Sequence, residues 1–221
     1  MIRWSHLDTA TIPGGDELRL MRRGDEFSIM LGRIELMNSR LSGSEEALAT
    51  MSHARIKGRK APRILIGGLG MGFTLRAALA EFGPEASIVV AELVPAVVAW
   101  ARGPMAEVFK GCLDDPRVEI RVGDVGEAIR AGRGAFDAIL LDVDNGPTGL
   151  TRKENDGLYA MDGLAITRAA LKQGGVVAVW SSGPDAKFTQ RMRKSGFKVD
   201  EVQVRARAGK GARHTIWFGT A

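Results

Sequence analysis

Four short segments of this chain carry residues that suit the binding of a charged ligand. The first is the glycine-rich run Gly67–Gly72, and the others contain the carboxylates Glu92, Asp124 and the pair Asp142 and Asp144. Each segment directly follows a short apolar stretch. In a sheet of parallel strands, ligands bind beyond the carboxyl ends of the strands. We therefore expect the glycines and the carboxylates to line one site.

The segment Gly67–Gly72 reads Gly-Gly-Leu-Gly-Met-Gly. A tight turn into a helix requires residues without a Cβ atom, both for unusual backbone angles and for the close approach of a ligand. The backbone N–H groups at the start of the following helix then face that ligand. The candidate cofactor-binding residues here are Gly67, Gly68, Gly70 and Gly72. Taken alone, the pattern also fits a dinucleotide site or a purely structural turn.

Glu92 and Asp124 narrow the choice of ligand. Glu92 lies about 20 residues after the glycines, where a carboxylate typically accepts hydrogen bonds from ribose hydroxyls. Its alternative role is that of a solvated acid at a helix N-terminus. Asp124 is placed to accept from the exocyclic amine of adenine, or to cap the helix after it. Together with their neighbours Leu93 and Val125, these acids predict an adenosyl cofactor rather than a nicotinamide cofactor.

Asp142 and Asp144 are the candidate catalytic residues. Two carboxylates directly after the apolar segment 138–141 are costly to place near a buried sheet unless they are paired or used. One can attract an ammonium group, and the other can accept the proton that makes an amine nucleophilic. The alternative is a polar turn, because Asp, Asn, Gly and Pro all favour turns. The polar segment 148–157 is then either a lid or a surface loop, and Tyr159 either faces substrate or packs.

These residues must be positioned by an α/β fold. From Arg63 onward, apolar strands alternate with amphipathic helices, which predicts a parallel sheet covered on both faces. The expected strands are 63–66, 87–91, 118–122, 136–143, 176–180, 197–204 and 214–218, and the last two form an antiparallel hairpin around a basic loop at 205–213. The expected helices are 44–56, 73–82, 95–109, 125–131, 158–171 and 185–194.

The sequence therefore predicts a doubly wound, mostly parallel seven-stranded sheet of the Rossmann-like type. Before it, the segments 17–22, 26–31 and 33–37 alternate apolar and polar residues and predict a small N-terminal antiparallel β meander. We place the boundary between a small β region, residues 1–42, and a cofactor-binding α/β domain, residues 43–221.

Composition limits the partners and the location. No apolar run reaches the roughly 18 to 20 residues that cross a bilayer, and residues 1–6 lack a signal-peptide core, so a cytoplasmic protein with no membrane partner is expected. The single Cys112 excludes an intrachain disulfide, and three scattered histidines predict no metal site. The net charge is +5 with basic clusters at 55–60 and 187–213. Without a stacking-aromatic pattern these clusters indicate solvated faces, and nucleic acid is not an expected partner.

The chain resembles the spermidine synthase (polyamine aminopropyltransferase) family, whose core is a methyltransferase-type sheet preceded by a small β domain. The likeness spans roughly residues 17–180. Its strongest parts are the glycine run, Glu92 and Asp124 at the positions of the family's ribose-binding and adenine-binding acids, and Asp142 with the trailing Gly146-Pro147. Leu158-Tyr159 and 172–175 extend it. Residues 32–35 and 44–46 occupy the places of the family's Gly-Val-Ile-Gln and Tyr-His/Gln-Glu motifs.

Three departures from the family pattern affect the expected reaction. The family's glycine motif contains an Asp that holds the aminopropyl ammonium of decarboxylated S-adenosylmethionine, and Gly70 stands in its place. The family's Tyr is Ser44, its Gln is Glu35, and the loop after Asp142 is two residues shorter. A carboxylate beside the cofactor tail would repel the carboxylate of intact S-adenosylmethionine by about 4 kcal/mol, for charges about 4 Å apart at an effective dielectric of about 20. Gly70 removes this repulsion. Intact S-adenosylmethionine is then accepted.

We therefore expect an S-adenosylmethionine-dependent transferase that methylates a small amine-type acceptor. Asp142 would deprotonate or orient the amine, and Asp144, Glu35 and Glu46 would assist, with Tyr159 as a further substrate contact. One alternative is an aminopropyltransferase that uses decarboxylated S-adenosylmethionine, with Glu35 or Asp144 as the amine anchor. Others are a non-catalytic cofactor-binding protein and a nucleic-acid methyltransferase. Family members are often dimers, which adds a homodimer to the expectations.

Overall fold

The N-terminal residues form a four-stranded antiparallel sheet. The computed structural model describes residues 2–12, 15–143, 155–207 and 210–221. The sheet contains, in spatial order, β1 (Ser5–Thr11), β2 (Glu17–Arg23), β3 (Glu26–Leu31) and β4 (Ile34–Asn38). The predicted meander omits β1. That strand is exposed at nearly every position, so it carries no alternation of apolar and polar residues and joins the sheet only by pairing with β2.

The main sheet has seven strands in the order β10-β11-β9-β8-β5-β6-β7. The strands β5 to β9 run parallel, and β11 pairs antiparallel with both β9 and β10. This arrangement confirms the predicted fold class. The strands are β5 (Arg63–Gly67), β6 (Ser87–Glu92), β7 (Val118–Val122), β8 (Phe136–Leu141), β9 (Leu171–Ser181), β10 (Lys198–Arg207) and β11 (Lys210–Thr220).

The C-terminal hairpin is longer than predicted. The segment 205–213 was expected to be a loop because it is basic, yet Arg205 pairs with Arg213 and Arg207 pairs with Lys210. Charged side chains on an exposed edge do not prevent backbone pairing, and they discourage further association at the edge.

Two of the predicted helices are divided in the structure, and those predicted at 73–82 and 185–194 are each one residue shorter. The helices are α1 (Gly43–Arg55), α2 (Phe73–Glu81), α3 (Pro95–Arg102), α4 (Ala106–Phe109), α5 (Val125–Ala131), α6 (Asn155–Tyr159), α7 (Met161–Ala170) and α8 (Ala186–Lys194). The single helix predicted at 95–109 is divided at Gly103-Pro104, because proline has no N–H to continue the helical ladder. The helix predicted at 158–171 is divided at Ala160, which has extended backbone angles. None of the helices in these ranges is long and apolar enough to cross a membrane.

Two layers of helices cover the sheet. Alternate residues of the central strands face opposite sides: Ile64 and Ile66 pack with α1, α2 and α3, whereas Leu65 and Ile139 pack with α5, α7 and α8. The inner face of the N-terminal sheet joins the first of these cores through Leu18, Leu20, Phe27 and Ile29. The small sheet is therefore packed directly onto the α/β domain.

A buried carboxylate links the beginnings of neighbouring strands, at the edge of the sheet opposite the glycine run. Asp137 is 3% exposed, and its two oxygens contact Arg59 Nη1 at 2.8 Å and Lys172 Nζ at 2.6 Å. It also accepts a hydrogen bond from the backbone N–H of Arg63 at 2.7 Å. Burial acts to raise the pKa of Asp137, but the Arg63 amide, Lys172 and Arg59 outweigh it, and the pKa lies below its usual value.

We expect Asp137→Asn to destabilise the protein by about 3 kcal/mol, because it leaves two cations without their buried partner. Chemical denaturation at neutral pH measures the difference. Because the pKa of Asp137 is lowered in the folded state, its contribution is present above the unfolded-state pKa and is lost as the pH falls through the folded-state pKa. The difference in free energy of unfolding between Asp137→Asn and the unaltered protein should therefore become smaller at acidic pH.

The matched control is Asp114→Asn, which breaks the exposed ion pair between Asp114 and Arg102. Exposed pairs contribute at most about 1 kcal/mol. Equal losses in both variants would contradict the role assigned to Asp137.

Candidate functional site

The glycine run joins β5 to α2 in a turn that excludes side chains at two positions. Gly68 has φ +87°, and a Cβ there would lie 2.5 Å from the carbonyl oxygen of Asp142. Gly72 has φ +76°, and its Cβ would lie 2.5 Å from the Phe109 ring. Glycine is therefore required at both positions, and Gly68 and Gly70 of this turn line an open cleft that Asp142 also lines.

Glu92 holds the turn in place. The side chain is 7% exposed, and its oxygens accept hydrogen bonds from the backbone N–H groups of Leu69 at 2.9 Å and Val94 at 2.8 Å. Burial raises the pKa of Glu92, although these amide hydrogen bonds act in the opposite direction. A carboxylate has about four acceptor sites, and the amides of Gly70 and Leu93 also interact with this one, so at most two sites remain for ribose hydroxyls. Glu92 and its neighbour Leu93 both line the cleft in front of the turn.

Asp124 caps α5, as the sequence suggested it could. Its Oδ1 accepts a hydrogen bond from the backbone N–H of Glu127 at 3.1 Å and lies 3.7 Å from Arg130 Nη2. Asp124 and Val125 line the same cleft as Glu92. The cap uses one oxygen of a half-exposed side chain, which leaves the other oxygen available to a ligand.

The structure brings seven of the nine predicted cofactor residues together in one cleft, and Gly67 and Gly72 are not among its lining residues. Its open volume is about 820 Å³, including solvent at the mouth. The N-terminal sheet contributes four apolar residues to its wall. The lining residues are Ile12, Leu18, Leu36, Met37, Gly68, Gly70, Ala91, Glu92, Leu93, Val94, Val97, Gly123, Asp124, Val125, Asp142 and Val143. We refer to this space as the donor cleft.

A second cavity adjoins the donor cleft and shares Leu36, Met37, Gly70 and Asp142 with it. Its open volume is about 630 Å³. The remaining lining residues are Asn38, Glu45, Leu69, Met71, Phe73 and Trp180. We refer to this space as the acceptor cavity. Asp142 therefore lies at the junction of two cavities, where a group could pass from one ligand to another.

The environment of Asp142 raises its pKa to about 7. Burial is the main cause, and the nearby charge of Glu45 adds to it, whereas the hydrogen bond from Thr74 Oγ1 to Asp142 Oδ2 at 2.9 Å opposes it. The backbone N–H of Asp142 donates to the carbonyl oxygen of Gly67 at 3.0 Å, so the residue is fixed to the end of β5. A carboxyl group with this pKa can exchange protons near neutral pH.

Glu45 is the site residue that was not predicted. It lies in the first turn of α1, where an acidic residue is ordinary because it complements the helix dipole. In the structure its carboxyl group lines the acceptor cavity, and burial raises its pKa. Thr74 connects the two acids, because its Oγ1 also lies 3.3 Å from the carbonyl oxygen of Glu45. The position of Glu45 in the family's Tyr-His/Gln-Glu motif was the only sequence signal for it.

Three residues expected near the substrate lie elsewhere. Glu35 is held by Arg40 at 3.0 Å and by the Ser28 hydroxyl at 2.7 Å. Glu46 is exposed and faces a different cleft, beside the C-terminal hairpin. Tyr159 is 3% exposed in the core on the opposite face of the sheet, with its ring edge-on to Phe188.

Asp144, Gly146-Pro147 and most of the segment 148–157 lie outside the described residues, so the roles predicted for them stay predictions. Among the residues that are described, no group of three or more His, Cys, Asp or Glu side chains could hold a metal ion.

Two proteins related to this chain by sequence are both named polyamine aminopropyltransferases. No family model matches the chain. It is 28% identical over 201 residues to a polyamine aminopropyltransferase of Mycobacterium tuberculosis, a match that covers 85% of this chain and 36% of that protein. It is 31% identical over 138 residues to polyamine aminopropyltransferase 1 of Hyperthermus butylicus, covering 60% of this chain and 44% of that one. The chain thus spans only about a third to a half of these relatives.

The solved structures agree on the fold. Spermidine synthase from Thermotoga maritima superposes with a TM-score of 0.76 at 18% identity, over 97% of this chain and 72% of that chain. A probable spermidine synthase from Corynebacterium glutamicum superposes with a TM-score of 0.61 at 17% identity. At these identities the likeness concerns the fold alone.

The expectation of methyl transfer is wrong. It depended on Gly70 leaving the cofactor tail without a neighbouring carboxylate, but Glu45 and Asp142 both line the cavity beside Gly70. The relatives found by sequence are moreover named as aminopropyltransferases. The resemblance predicted from the glycine run, Glu92, Asp124 and Asp142 is confirmed, since the related sequences are named polyamine aminopropyltransferases and the solved structures that share the fold are spermidine synthases.

Proposed function

We propose that this protein transfers an aminopropyl group from decarboxylated S-adenosylmethionine to a small amine. The observation that carries the proposal is the position of Asp142, at the junction of two adjoining cavities and with Glu45 beside it. One cavity has the features of an adenosyl site, and the other combines these two carboxylates with apolar walls. The names of the related proteins support the same activity.

The donor cleft fits the adenosyl part of such a donor. Glu92 has acceptor sites left for ribose hydroxyls, and Asp124 has an oxygen left for the adenine amine. The close packing of Gly68 against Asp142 leaves the turn without a side chain at the position nearest the acid. When bound, the donor supplies a sulfonium-activated propyl carbon, so that a C–N bond forms as the C–S bond breaks and methylthioadenosine leaves.

Glu45 selects the charge of the donor tail. A carboxylate about 4 Å from another unit charge interacts by about 4 kcal/mol at an effective dielectric of about 20. The Glu45 carboxylate therefore attracts the ammonium group of the decarboxylated donor and repels the carboxylate of intact S-adenosylmethionine. Glu45, rather than Glu35 or Asp144, takes the place of the family's aspartate as the ammonium anchor.

Asp142 prepares the acceptor amine for attack. An amine is protonated near neutral pH and must lose a proton before its nitrogen lone pair can attack carbon. The Asp142 carboxylate accepts that proton, and the Thr74 hydroxyl fixes its orientation through Oδ2. The raised pKa matches this role, since a base is most effective when its pKa lies near the working pH.

The proposal is tested by incubating the protein with decarboxylated S-adenosylmethionine and a panel of small monoamines and diamines, followed by mass spectrometry. The expected products are methylthioadenosine and an amine enlarged by one aminopropyl group. Asp142→Asn should lower turnover by about 10²- to 10⁴-fold, because a general base is lost, with little change in donor affinity. Tight donor binding without turnover on any amine would contradict the proposal, as would methylation from intact S-adenosylmethionine.

The pH dependence provides a second test. We expect kcat/KM for the donor, which reports the ionisation of the protein before the donor binds, to rise with pH through about 7 as Asp142 ionises. Glu45→Gln removes a negative charge that raises the pKa of Asp142, so it should move this rise to lower pH. A rise caused by ionisation of the free amine would stay at the same pH in this variant, because the pKa of the amine in solution does not depend on the protein.

Glu46→Gln is the matched control, because Glu46 is the exposed neighbour of Glu45 and faces another cleft. Glu46→Gln should leave the pH at which kcat/KM rises unchanged. If Glu45→Gln also left this pH unchanged, the rise would belong to a group other than Asp142.

A further inference from the structure

A chain of hydrogen bonds connects the acceptor cavity to the C-terminal hairpin. Ser44 Oγ lies 2.6 Å from Glu45 Oε2, and His214 Nδ1 lies 2.8 Å from Ser44 Oγ. Ser44 is fully buried. His214 belongs to β11, so the chain joins the first turn of α1 to a strand from the other end of the sequence.

The direction of these hydrogen bonds follows from the donors available. An ionised Glu45 can only accept, so the Ser44 hydroxyl must donate its single proton to it. Ser44 Oγ can then only accept from His214, which requires a proton on Nδ1 of the imidazole. Burial lowers the pKa of His214, which favours a neutral ring with one N–H donor.

His214 thereby limits the orientation of the Ser44 hydroxyl. A serine hydroxyl in the first turn of a helix can otherwise turn toward a backbone carbonyl. Because His214 donates to Ser44 Oγ, the proton of the Ser44 hydroxyl stays directed at the Glu45 carboxylate. The imidazole is itself fixed, since its ring is edge-on to Trp180 with centroids 4.8 Å apart, and Trp180 lines the acceptor cavity.

We infer that His214 is a positioning residue that acts through Ser44 to hold the Glu45 carboxylate against the ammonium group of the donor. The inference rests on the proposed function and extends it, because it makes the C-terminal hairpin part of the device that selects a donor with an ammonium tail. Ser44 stands where the spermidine synthase family has tyrosine, so the serine hydroxyl on which this arrangement depends is a departure from the family pattern.

Calorimetry with two ligands tests the inference. Decarboxylated S-adenosylmethionine carries the ammonium group, whereas methylthioadenosine has the same adenosine and thioether part without it. Ser44→Ala should weaken binding of the first ligand by at least about tenfold, as expected for loss of a hydrogen bond to a charged group, and His214→Ala by at least about fivefold, since its own bond is to the neutral Ser44 hydroxyl. Binding of methylthioadenosine should stay unchanged, which also shows that the variants are folded.

Two substitutions of the imidazole separate positioning from packing. His214→Asn keeps an N–H at the place of Nδ1 and should retain affinity for the decarboxylated donor within about threefold. His214→Gln places its amide one carbon further away and should behave like alanine. His53→Ala is the matched control, because His53 lies at the far end of the same α1 helix, against Phe82 and Glu81. It should affect neither ligand.

The outcomes distinguish this inference from the proposed function. If His214→Ala and Ser44→Ala weaken both ligands equally, their role is structural and the inference is overturned. If Glu45→Gln weakens the decarboxylated donor but neither of these variants does, the inference is overturned and the proposed function stands. If the unaltered protein binds decarboxylated S-adenosylmethionine no more tightly than methylthioadenosine, both are overturned.

Discussion

Two carboxyl groups, Glu45 and Asp142, share a partly buried space, and the cost of holding them there is the constraint on which the site depends. Burial raises the pKa of each group, and the charge of Glu45 raises the pKa of Asp142 further. Such a pair is costly unless hydrogen bonds or a cation offset the charge. The hydroxyl groups of Ser44 and Thr74 supply part of the compensation. An ammonium group would supply the rest, so the charge of the two acids favours the ligand proposed for this cavity.

The remaining elements keep these acids at a fixed distance from the donor cleft. Asp142 is attached to the end of β5 through Gly67, and its carbonyl group packs against Gly68. Glu92 fixes the same turn from β6 by accepting the N–H of Leu69. A displacement of the turn would therefore move the wall of the donor cleft and Asp142 together. The two cavities remain aligned because they share one backbone connection.

The sequence predicted the donor cleft well because every parallel strand ends at one edge of the sheet. Glycines, Glu92, Asp124 and Asp142 could be placed there from their positions after apolar runs alone. Glu45 could not be placed in this way, because it lies on a helix whose orientation depends on packing against α2 and the hairpin. β1 was missed because backbone pairing leaves no periodic pattern in exposed residues. Tyr159 packs in the core, which is one of its two predicted roles. The sequence could not decide between them, because adjacency to a polar loop does not reveal which face of the sheet a helix covers.

Gly70 lies where the turn meets the N-terminal sheet. Its φ of +52° is a conformation that aspartate tolerates better than most residues, so the backbone itself does not forbid a side chain there. A Cβ at this position would lie 3.3 Å from the sulfur of Met37, whose side chain would have to shift by a few tenths of an ångström. An acid introduced into the turn would therefore displace Met37 of β4 and place a third negative charge beside Glu45 and Asp142.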